Sequence, residues 1–359
     1  MTVLVNLAYL LRRPTGTTNY ALNLLPYLAQ LQPDYLATTA SGLADYHPVP
    51  DQMTAEYGMS GHLRRLLWTQ FRLPSIYRQL TARSPAPSLL FSPITEAPLF
   101  TRCRCVVMVH DLIPLRFPVS RAQTWLHRYY VPQVVQMAEH ILCNSEATAK
   151  DLTEFYGVSP QKITPIALAH DAQHFQLLGL ERRNYFLLLG RQTPYKNGAI
   201  ALQAFAQIPH YRDYELWIAG PEDPRYTPDL KRQADELGIT SQVKFLNYVS
   251  YDQLPGLLNQ ALALIFPSLW EGFGLPVLEA LACGTPVIAS DRASLPEVTG
   301  DAALLVNPTD AGAIAHYMHR LTRDPDLVKQ LSAAGCDRAA QFSWQRTGEA
   351  TVEVLQRYL

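Results

Sequence analysis

The sequence lacks the features that mark several classes of protein. It has five cysteines among 359 residues, an odd number without the spacing of metal ligands, so we interpret them as structural thiols of a reducing compartment. No apolar run reaches the length of a membrane-spanning helix. The apolar stretch after Met1 also lacks the basic residues that begin a signal peptide. We therefore expect a cytoplasmic protein.

The chain also lacks an excess of charge of either sign. Its formal net charge is −1 and its pI is about 6.8, so no overall basic field indicates a nucleic-acid partner. Tandem repeats and low-complexity segments are missing as well. Hydrophobic residues make up 48% of the chain, which is enough to form globular cores. At 359 residues the chain is too long for one ordinary core, and this length predicts two globular domains.

One stretch, Phe266 to Asp301, is richer in signals than any other. An apolar run that ends at Phe266 predicts a buried strand. Gly272 and Gly274 follow, and Pro276 favours a helix that starts directly after them. A helix N-terminus beside glycines presents backbone N–H groups that a ligand can approach closely. The stretch therefore predicts a site for a phosphate or diphosphate.

Two carboxylates flank this predicted turn, Glu271 before it and Glu279 one turn into the helix. A carboxylate repels a phosphate, but it accepts hydrogen bonds from sugar hydroxyls. A nucleotide sugar, with ribose, diphosphate and sugar in a row, fits that arrangement. The alternative is that both are solvated acids near a helix N-terminus.

The E-x7-E spacing of Glu271 and Glu279, the EGFGLP segment and the GTPVIAS strand after it resemble the signature of retaining family 4 glycosyltransferases. The resemblance implies an α/β chain with the GT-B fold, in which two Rossmann-like domains face a central cleft. We expect residues 1–170 to bind the acceptor and residues 171–342 to bind the donor. It also implies that the last helix, about 343–359, crosses back to the first domain.

The resemblance assigns roles in the second domain. GRQTPYKN is similar to the family segment whose R-x4-K pair holds the donor diphosphate, so Arg191 and Lys196 are predicted catalytic cations, with Gly190 beside them. The alternative is a solvated loop pair. Glu271 is predicted to bind the transferred sugar and Glu279 the ribose. The remaining predicted donor contacts are two residues near the base and four in the glycine loop: Tyr248, Val249, Gly272, Phe273, Gly274 and Leu275.

In the first domain, the predicted strand Cys105 to Val109 ends at His110 and Asp111. Residues at the carboxyl end of a parallel strand face a ligand, although a lone histidine is more often structural. VHDLIP resembles the family segment whose histidine contacts the donor sugar, particularly in mannosyltransferases. We therefore predict catalytic contact by His110, with Asp111 as an acceptor-side or donor-side contact. Gly16, alone in its predicted loop, is a further donor-binding candidate.

The basic amphipathic stretch from Asp51 to Arg83 has two interpretations. It could lie on the inner face of a membrane or meet a lipid-linked acceptor. Alternatively it is an ordinary surface helix with solvated arginines, which the interruption by Pro74 favours.

The predicted reaction moves a hexose from a nucleotide diphosphate to an acceptor hydroxyl on a glycan, polysaccharide or lipid-linked saccharide. The resemblance implies retention of configuration without an enzyme nucleophile, and VHDLIP favours mannose from GDP-mannose. No cofactor or metal is expected, since Asp324 and Asp326 form a D-x-D at a predicted helix start, where a cap or first-turn acid is expected. Alternatives are transfer from UDP-glucose or UDP-N-acetylglucosamine, a GT-B UDP-sugar 2-epimerase, and a nucleotide-sugar binding protein without turnover.

Overall fold

A computed structural model describes residues 3–11, 16–82 and 88–359, apart from the side chains of Ala55 and Thr81. These residues form two compact units. The first contains Met1–Leu168 together with Trp344–Leu359, and the second contains Ala169–Ser343. Some positions lie outside the described residues. They are Thr2 at the start of the chain, residues 12–15 of the predicted loop that leads to Gly16, and Arg83 at the end of the basic stretch.

The first unit is built on a seven-stranded parallel sheet with the order β3-β2-β1-β4-β5-β6-β7. The strands are β1 (Val3–Asn6), β2 (Asp34–Ala37), β3 (His47–Pro48), β4 (Leu89–Ser92), β5 (Cys105–Val109), β6 (His140–Cys143) and β7 (Ile163–Pro165). Every residue of β1, β4, β5 and β6 is buried. These strands are therefore buried on both faces, as expected when helices cover both sides of a parallel sheet.

Seven helices connect these strands. They are α1 (Gly16–Leu28), α2 (Gly58–Phe71), α3 (Leu73–Thr81), α4 (Ile113–Arg116), α5 (Arg121–Tyr129), α6 (Val131–Met137) and α7 (Glu146–Tyr156). The predicted basic stretch is split into α2 and α3 because Pro74 lacks the N–H that would continue α2 and instead occupies the first turn of α3. Ser145 caps α7, since its hydroxyl accepts a hydrogen bond from the backbone N–H of Thr148.

The second unit has a six-stranded parallel sheet with the order β10-β9-β8-β11-β12-β13. Its strands are β8 (Tyr185–Leu189), β9 (Glu215–Ala219), β10 (Val243–Asn247), β11 (Ala263–Phe266), β12 (Val287–Ser290) and β13 (Leu304–Val306). The strand order reverses between β8 and β11. In open α/β sheets a ligand binds at the carboxyl ends of the strands on either side of such a reversal.

The helices of the second unit follow the predicted alternation with the strands. They are α8 (Gly198–Ala206), α9 (Thr227–Glu236), α10 (Leu254–Gln260), α11 (Leu275–Ala282), α12 (Leu295–Thr299), α13 (Ala311–Arg323) and α14 (Pro325–Ala339). Gly284 follows α11 at φ +67°, and the N–H of Thr285 bonds back to the carbonyl of Ala280, which is the expected glycine C-terminal cap. Asp324 caps α14 and Asp326 is an acid of its first turn, as the sequence predicted.

The last helix, α15 (Trp344–Gln356), packs within the first unit against α1. Gly348 allows this contact, because a Cβ at that position would lie 2.3 Å from the ring of Tyr27. The hydroxyl of Tyr358 is 2.8 Å from Nδ1 of His140. The return of the last helix to the first domain is therefore observed, and the α/β class with two Rossmann-like sheets is confirmed. No helix of the described residues is long and apolar enough to cross a bilayer.

Candidate active site

The carboxyl ends of β8, β9 and β10 are held together by backbone bonds between their turns. The N–H of Gly190 donates to Ala219, and the N–H of Gly220 donates to Asn247 at 2.7 Å. Gly220 has a φ of +139°, and a Cβ there would lie 2.1 Å from the carbonyl oxygen of Gly190. Only glycine fits that approach. The sequence showed that β9 ends in a glycine, but it did not reveal this contact.

Lys196 is placed by a short 3₁₀ turn, Pro194–Lys196, in the loop after β8. The turn ends at Asn197, whose left-handed φ of 57° is one that asparagine tolerates. The Asn197 side-chain amide donates to the carbonyls of Pro267 and Pro308 at 3.1 and 2.6 Å. These bonds tie the β8 loop to the segments that follow β11 and β13. We did not single out Asn197 from the sequence.

Lys196 and Glu271 form an ion pair across the reversal of strand order. Nζ of Lys196 lies 2.6 Å from Oε1 of Glu271, and both side chains are mostly buried. Lys196 follows β8 and Glu271 follows β11, the strands on either side of the reversal. Two of the predicted catalytic residues therefore meet where the fold predicts a ligand.

The glycine loop, Gly272–Gly274, is anchored from below by a serine that sequence reasoning missed. The buried hydroxyl of Ser294 lies 3.1 Å from the carbonyl of Glu271 and 2.8 Å from that of Phe273. Phe273 is buried and packs edge-on against Phe342 with the ring centroids 6.0 Å apart. A serine 21 positions after Phe273 carries no local signal for such a role.

Gly274 is the N-cap of α11 with a φ of +104°, and Leu275 begins the helix. A Cβ at position 274 would lie 2.7 Å from Cδ2 of Leu295. Glycine is therefore required by both backbone conformation and space, and it has no side chain to cap the helix. The N-terminus of α11 thus keeps the partial positive charge and the N–H groups that bind anions.

The loop after β8 also lines a cavity of about 190 Å³. Gly190, Arg191 and Lys196 belong to its wall, and the side chain of Arg191 is exposed. Glu279, Tyr248 and Val249 do not line this cavity.

Glu279 lies on α11 among protein groups while keeping partial access to solvent. Desolvation raises the pKa of its carboxyl to about 7. The neighbouring Tyr251 stacks on His174 with ring centroids 4.0 Å apart. Burial raises the pKa of Tyr251, as do the carboxylates of Asp171 and Glu279. Glu279 is therefore a carboxyl that changes charge close to neutral pH.

Tyr248 and Val249 follow β10 in the turn that leads to Tyr251. Tyr248 is exposed and Val249 is partly buried. Because the ring of Tyr248 is exposed, it is not part of a buried protein wall and is available to stack on a ligand.

In the first unit, His110 follows β5 and is held from several sides. Its Nε2 lies 2.9 Å from the carbonyl of Pro93, and the ring of Tyr20 meets it edge-on at 5.1 Å. Burial lowers the pKa of His110, so the imidazole is neutral at pH 7. Because a carbonyl only accepts, Nε2 carries the proton and Nδ1 is left as an acceptor.

Asp111 lines a cavity, whereas Gly16 is an exposed residue at the start of a helix. Asp111 accepts a hydrogen bond from the N–H of Ile113 at 3.0 Å and lines, with His110, a cavity of about 650 Å³. Gly16 was predicted in a loop, but it is the exposed first residue of α1. The strongest ionic feature of this cavity, Arg65 with Glu96, was not predicted as a site.

Two family models match the chain and together span most of it. The model described as Glycosyltransferase Family 4 matches residues 14–174, and the model described as Glycosyl transferases group 1 matches residues 170–338.

Two curated relatives match over nearly their whole length. The O-antigen chain mannosyltransferase RfbU of Salmonella typhimurium is 27% identical over 346 residues, covering 92% of this chain and 94% of the relative. The O-antigen chain mannosyltransferase B of Escherichia coli is 28% identical over 365 residues, covering 94% and 95%. Among solved structures, Anabaena HepE in complex with UDP and glucose superposes with a TM-score of 0.75 at 19% identity, covering 99% of this chain and 100% of HepE.

Proposed function

This chain belongs to glycosyltransferase family 4, and from that premise we propose that it transfers mannose from GDP-mannose to a hydroxyl group of a glycan acceptor. The chain is a glycosyltransferase, and the mannose assignment is supported by the names of two relatives that it matches over more than nine-tenths of its length. We further propose that the anomeric configuration is retained and that no metal takes part.

The observation that carries the proposal is the Lys196–Glu271 ion pair at the reversal of strand order. Glu271 lies in the segment that leads into the N-terminus of α11. Loss of the nucleoside diphosphate builds negative charge on the leaving phosphate. Fixed cations and helix N–H groups aimed at that phosphate lower the barrier. An ammonium group has three donors, so Lys196 can hold a phosphate oxygen and keep its bond to Glu271. Arg191, exposed in the same loop, supplies the second cation.

We propose the other donor contacts for further residues of the second unit. Glu279 accepts hydrogen bonds from the ribose hydroxyls, and Tyr248 with Val249 packs against the base. Glu271 binds a hydroxyl of the transferred sugar. The leaving phosphate itself accepts the proton of the acceptor hydroxyl, so no separate general base is needed, and no enzyme nucleophile takes part.

His110 is proposed to bind a hydroxyl of the transferred sugar through Nδ1. The support is the tautomer: the bond from Nε2 to Pro93 fixes the ring and leaves Nδ1 to accept. Asp111 is proposed to contact a sugar from the same cavity wall. We also predict peripheral contact of α2 with the inner face of a membrane, because the basic Arg64 and the apolar Leu67 are both exposed on that helix.

The test is a panel of GDP- and UDP-sugars, each with and without saccharide acceptors, in which nucleotide release and the sugar product are measured. Acceptor-dependent release of GDP from GDP-mannose is the expected result. Acceptor-dependent release of UDP from a UDP-sugar would show that this sugar, and not GDP-mannose, is the donor. Acceptor-independent release with an epimerised sugar would indicate a 2-epimerase. Binding without release would make the chain a nucleotide-sugar binding protein.

A further inference from the structure

The first unit contains a second, larger depression that continues from the cavity beside His110. The cavity measures about 650 Å³, and the neighbouring groove, between α2, α3, α5 and the loop around Phe100, measures about 890 Å³. Both are lined by Leu66, Trp125 and Tyr130. The two depressions are therefore parts of one continuous surface.

The groove is mostly apolar, and four exposed aromatic rings lie on its walls beside a few polar side chains, including Arg78 and Gln133. Phe71 is 72% exposed and Phe100 is 91% exposed, and Trp125 and Tyr129 are also more than half exposed. Large apolar side chains that cluster on a surface mark a binding site. Phe100 in addition has a φ of +55°, a conformation that a bulky side chain rarely adopts. The chain holds this ring at the groove in spite of unfavourable backbone geometry.

The other end of the surface, the cavity beside His110, holds most of the ionisable side chains, and several of them are held in place by hydrogen bonds. The guanidinium of Arg65 is buried, and its Nε and Nη2 lie within 3.0 Å of the carboxylate of Glu96. Arg65 also donates to the carbonyl of Met53 and lies 3.2 Å from Nδ1 of His62. Burial, followed by the charge of Arg65, lowers the pKa of His62. Fixed carboxylate, guanidinium and neutral imidazole groups suit sugar hydroxyls, which both donate and accept.

We propose that this surface binds one molecule of a lipid-linked saccharide, with the saccharide beside Glu96 and His110 and the apolar chain along the groove. The inference rests on the proposed function, because it identifies the class of the acceptor. It is carried by the order of the chemistry: a cavity that holds most of the ionisable side chains and a predicted sugar contact passes, through Trp125, into a groove with exposed aromatic rings on its walls. An amphiphile with a sugar head matches that order, whereas a free oligosaccharide would leave the groove uncovered.

The experiment compares two probes with the same sugar head, methyl α-mannoside and octyl α-mannoside, kept below the critical micelle concentration. Their dissociation constants are measured by calorimetry on the full chain. Octyl α-mannoside should bind at least about 30-fold more tightly, since each buried methylene favours binding. The double variant Phe71→Ser/Phe100→Ser should reduce this preference at least about fivefold. Met137→Ser, a change at an exposed apolar residue of the same unit that lines neither depression, should leave it unchanged.

Other occupants give different results. Equal binding of the two mannosides, or no binding of either, overturns the proposal. The proposal is also overturned if the protein binds vesicles of anionic phospholipid through Phe71 and Phe100 but shows no preference for octyl α-mannoside. That result would assign the face to a bilayer. A concentration-dependent dimer that the double variant abolishes, again without that preference, would assign it to a second copy of the chain.

The two proposals fail separately. Lys196→Ala should lower donor turnover by roughly 100-fold or more yet keep the preference for octyl α-mannoside, because Lys196 belongs to the second unit. If GDP-mannose is not a donor but the preference holds, only the donor assignment is lost. If turnover with GDP-mannose holds and the preference is absent, only the lipid-linked acceptor is lost.

Discussion

Nζ of Lys196 lies 2.6 Å from Oε1 of Glu271, although 75 residues separate the two in sequence. The pair joins the loop after β8 to the loop after β11 and is mostly shielded from solvent. Removing one partner of such a pair leaves the other charge without compensation. The bond therefore fixes the geometry of the site in the absence of a ligand, so that the ammonium group needs little reorganisation when a diphosphate arrives.

Lys196→Ala should lower kcat by roughly 100-fold or more, because one preorganised charge contact with the leaving phosphate is lost. The variant should also be less stable, since Glu271 loses its partner. Turnover of the donor under saturating conditions and urea denaturation measure the two effects.

Lys231→Ala is the matched control for that variant. Lys231 pairs with Glu222 at 2.9 Å in the same unit, but its side chain is 49% exposed. An exposed pair contributes about 0–1 kcal/mol, so both turnover and stability should stay near those of the wild type. Unchanged turnover in Lys196→Ala would remove that residue from the mechanism.

Ser294→Ala should weaken donor binding by disturbing the glycine loop. The hydroxyl contacts the carbonyls of Glu271 and Phe273, and loss of a buried hydrogen-bond donor costs about 1–3 kcal/mol. Thr299→Val, on the helix that Ser294 precedes, removes a buried bond to the carbonyl of Leu295 at 2.9 Å but leaves the loop alone. Both variants should lose stability, and only Ser294→Ala should raise the donor KM. Equal donor KM values in the two variants would contradict a positioning role for Ser294.

Much of the fold was predictable wherever local residues determine the structure. Helix α8, Gly198–Ala206, lies where the sequence shows a strand, a loop and an apolar helical pattern within a few residues. Ser145 and Gly284 are likewise residue types that are typical of a helix cap and a helix end. The strands β2 and β3 were missed, since they are short elements at one edge of the sheet and lack a buried apolar run.

The site was predictable as a set of residues but not as an arrangement. Spacing and resemblance selected Lys196 and Glu271, yet no local pattern encodes a bond between them. Gly220 and Ser294 act through backbone contacts with distant segments, which a single sequence does not reveal. The roles of the site residues stay predictions that the variants described here test.

Gly348→Ala should destabilise the packing of α15 on α1. The added Cβ would lie 2.3 Å from the Tyr27 ring, and such overpacking costs about 1–3 kcal/mol. Gly256→Ala is the control, because Gly256 also lies in a helix but has no atom within 4 Å of its added Cβ. That control should be neutral or stabilising by up to about 1 kcal/mol, through helix propensity. Chemical denaturation measures both, and equal stability of the two variants would refute the close contact.

Glu279→Gln should make the ligand-free protein more stable at pH 8 while weakening donor binding. The carboxyl has a pKa of about 7 in the folded chain and an ordinary pKa of about 4.3 when unfolded. Between these values the folded state keeps a proton that the unfolded state has released, so this group lowers stability as pH rises from about 4.3 to 7. Glutamine does not titrate.

The stability gain of Glu279→Gln should therefore be near zero at pH 4.5 and reach about 1–3 kcal/mol at pH 8, measured by urea denaturation. Donor affinity should fall about tenfold or more at pH 8, because a hydrogen bond to a charged group is lost. In the wild type the affinity should fall as pH drops below 7, whereas in the variant it should not vary. Glu236→Gln, at an exposed acid on α9, controls for the loss of charge. If the stability gain is the same at both pH values, desolvation of the Glu279 carboxylate is not its cause. The proposal that ribose binds to an ionised Glu279, held in the folded chain at a cost in stability, would then be wrong.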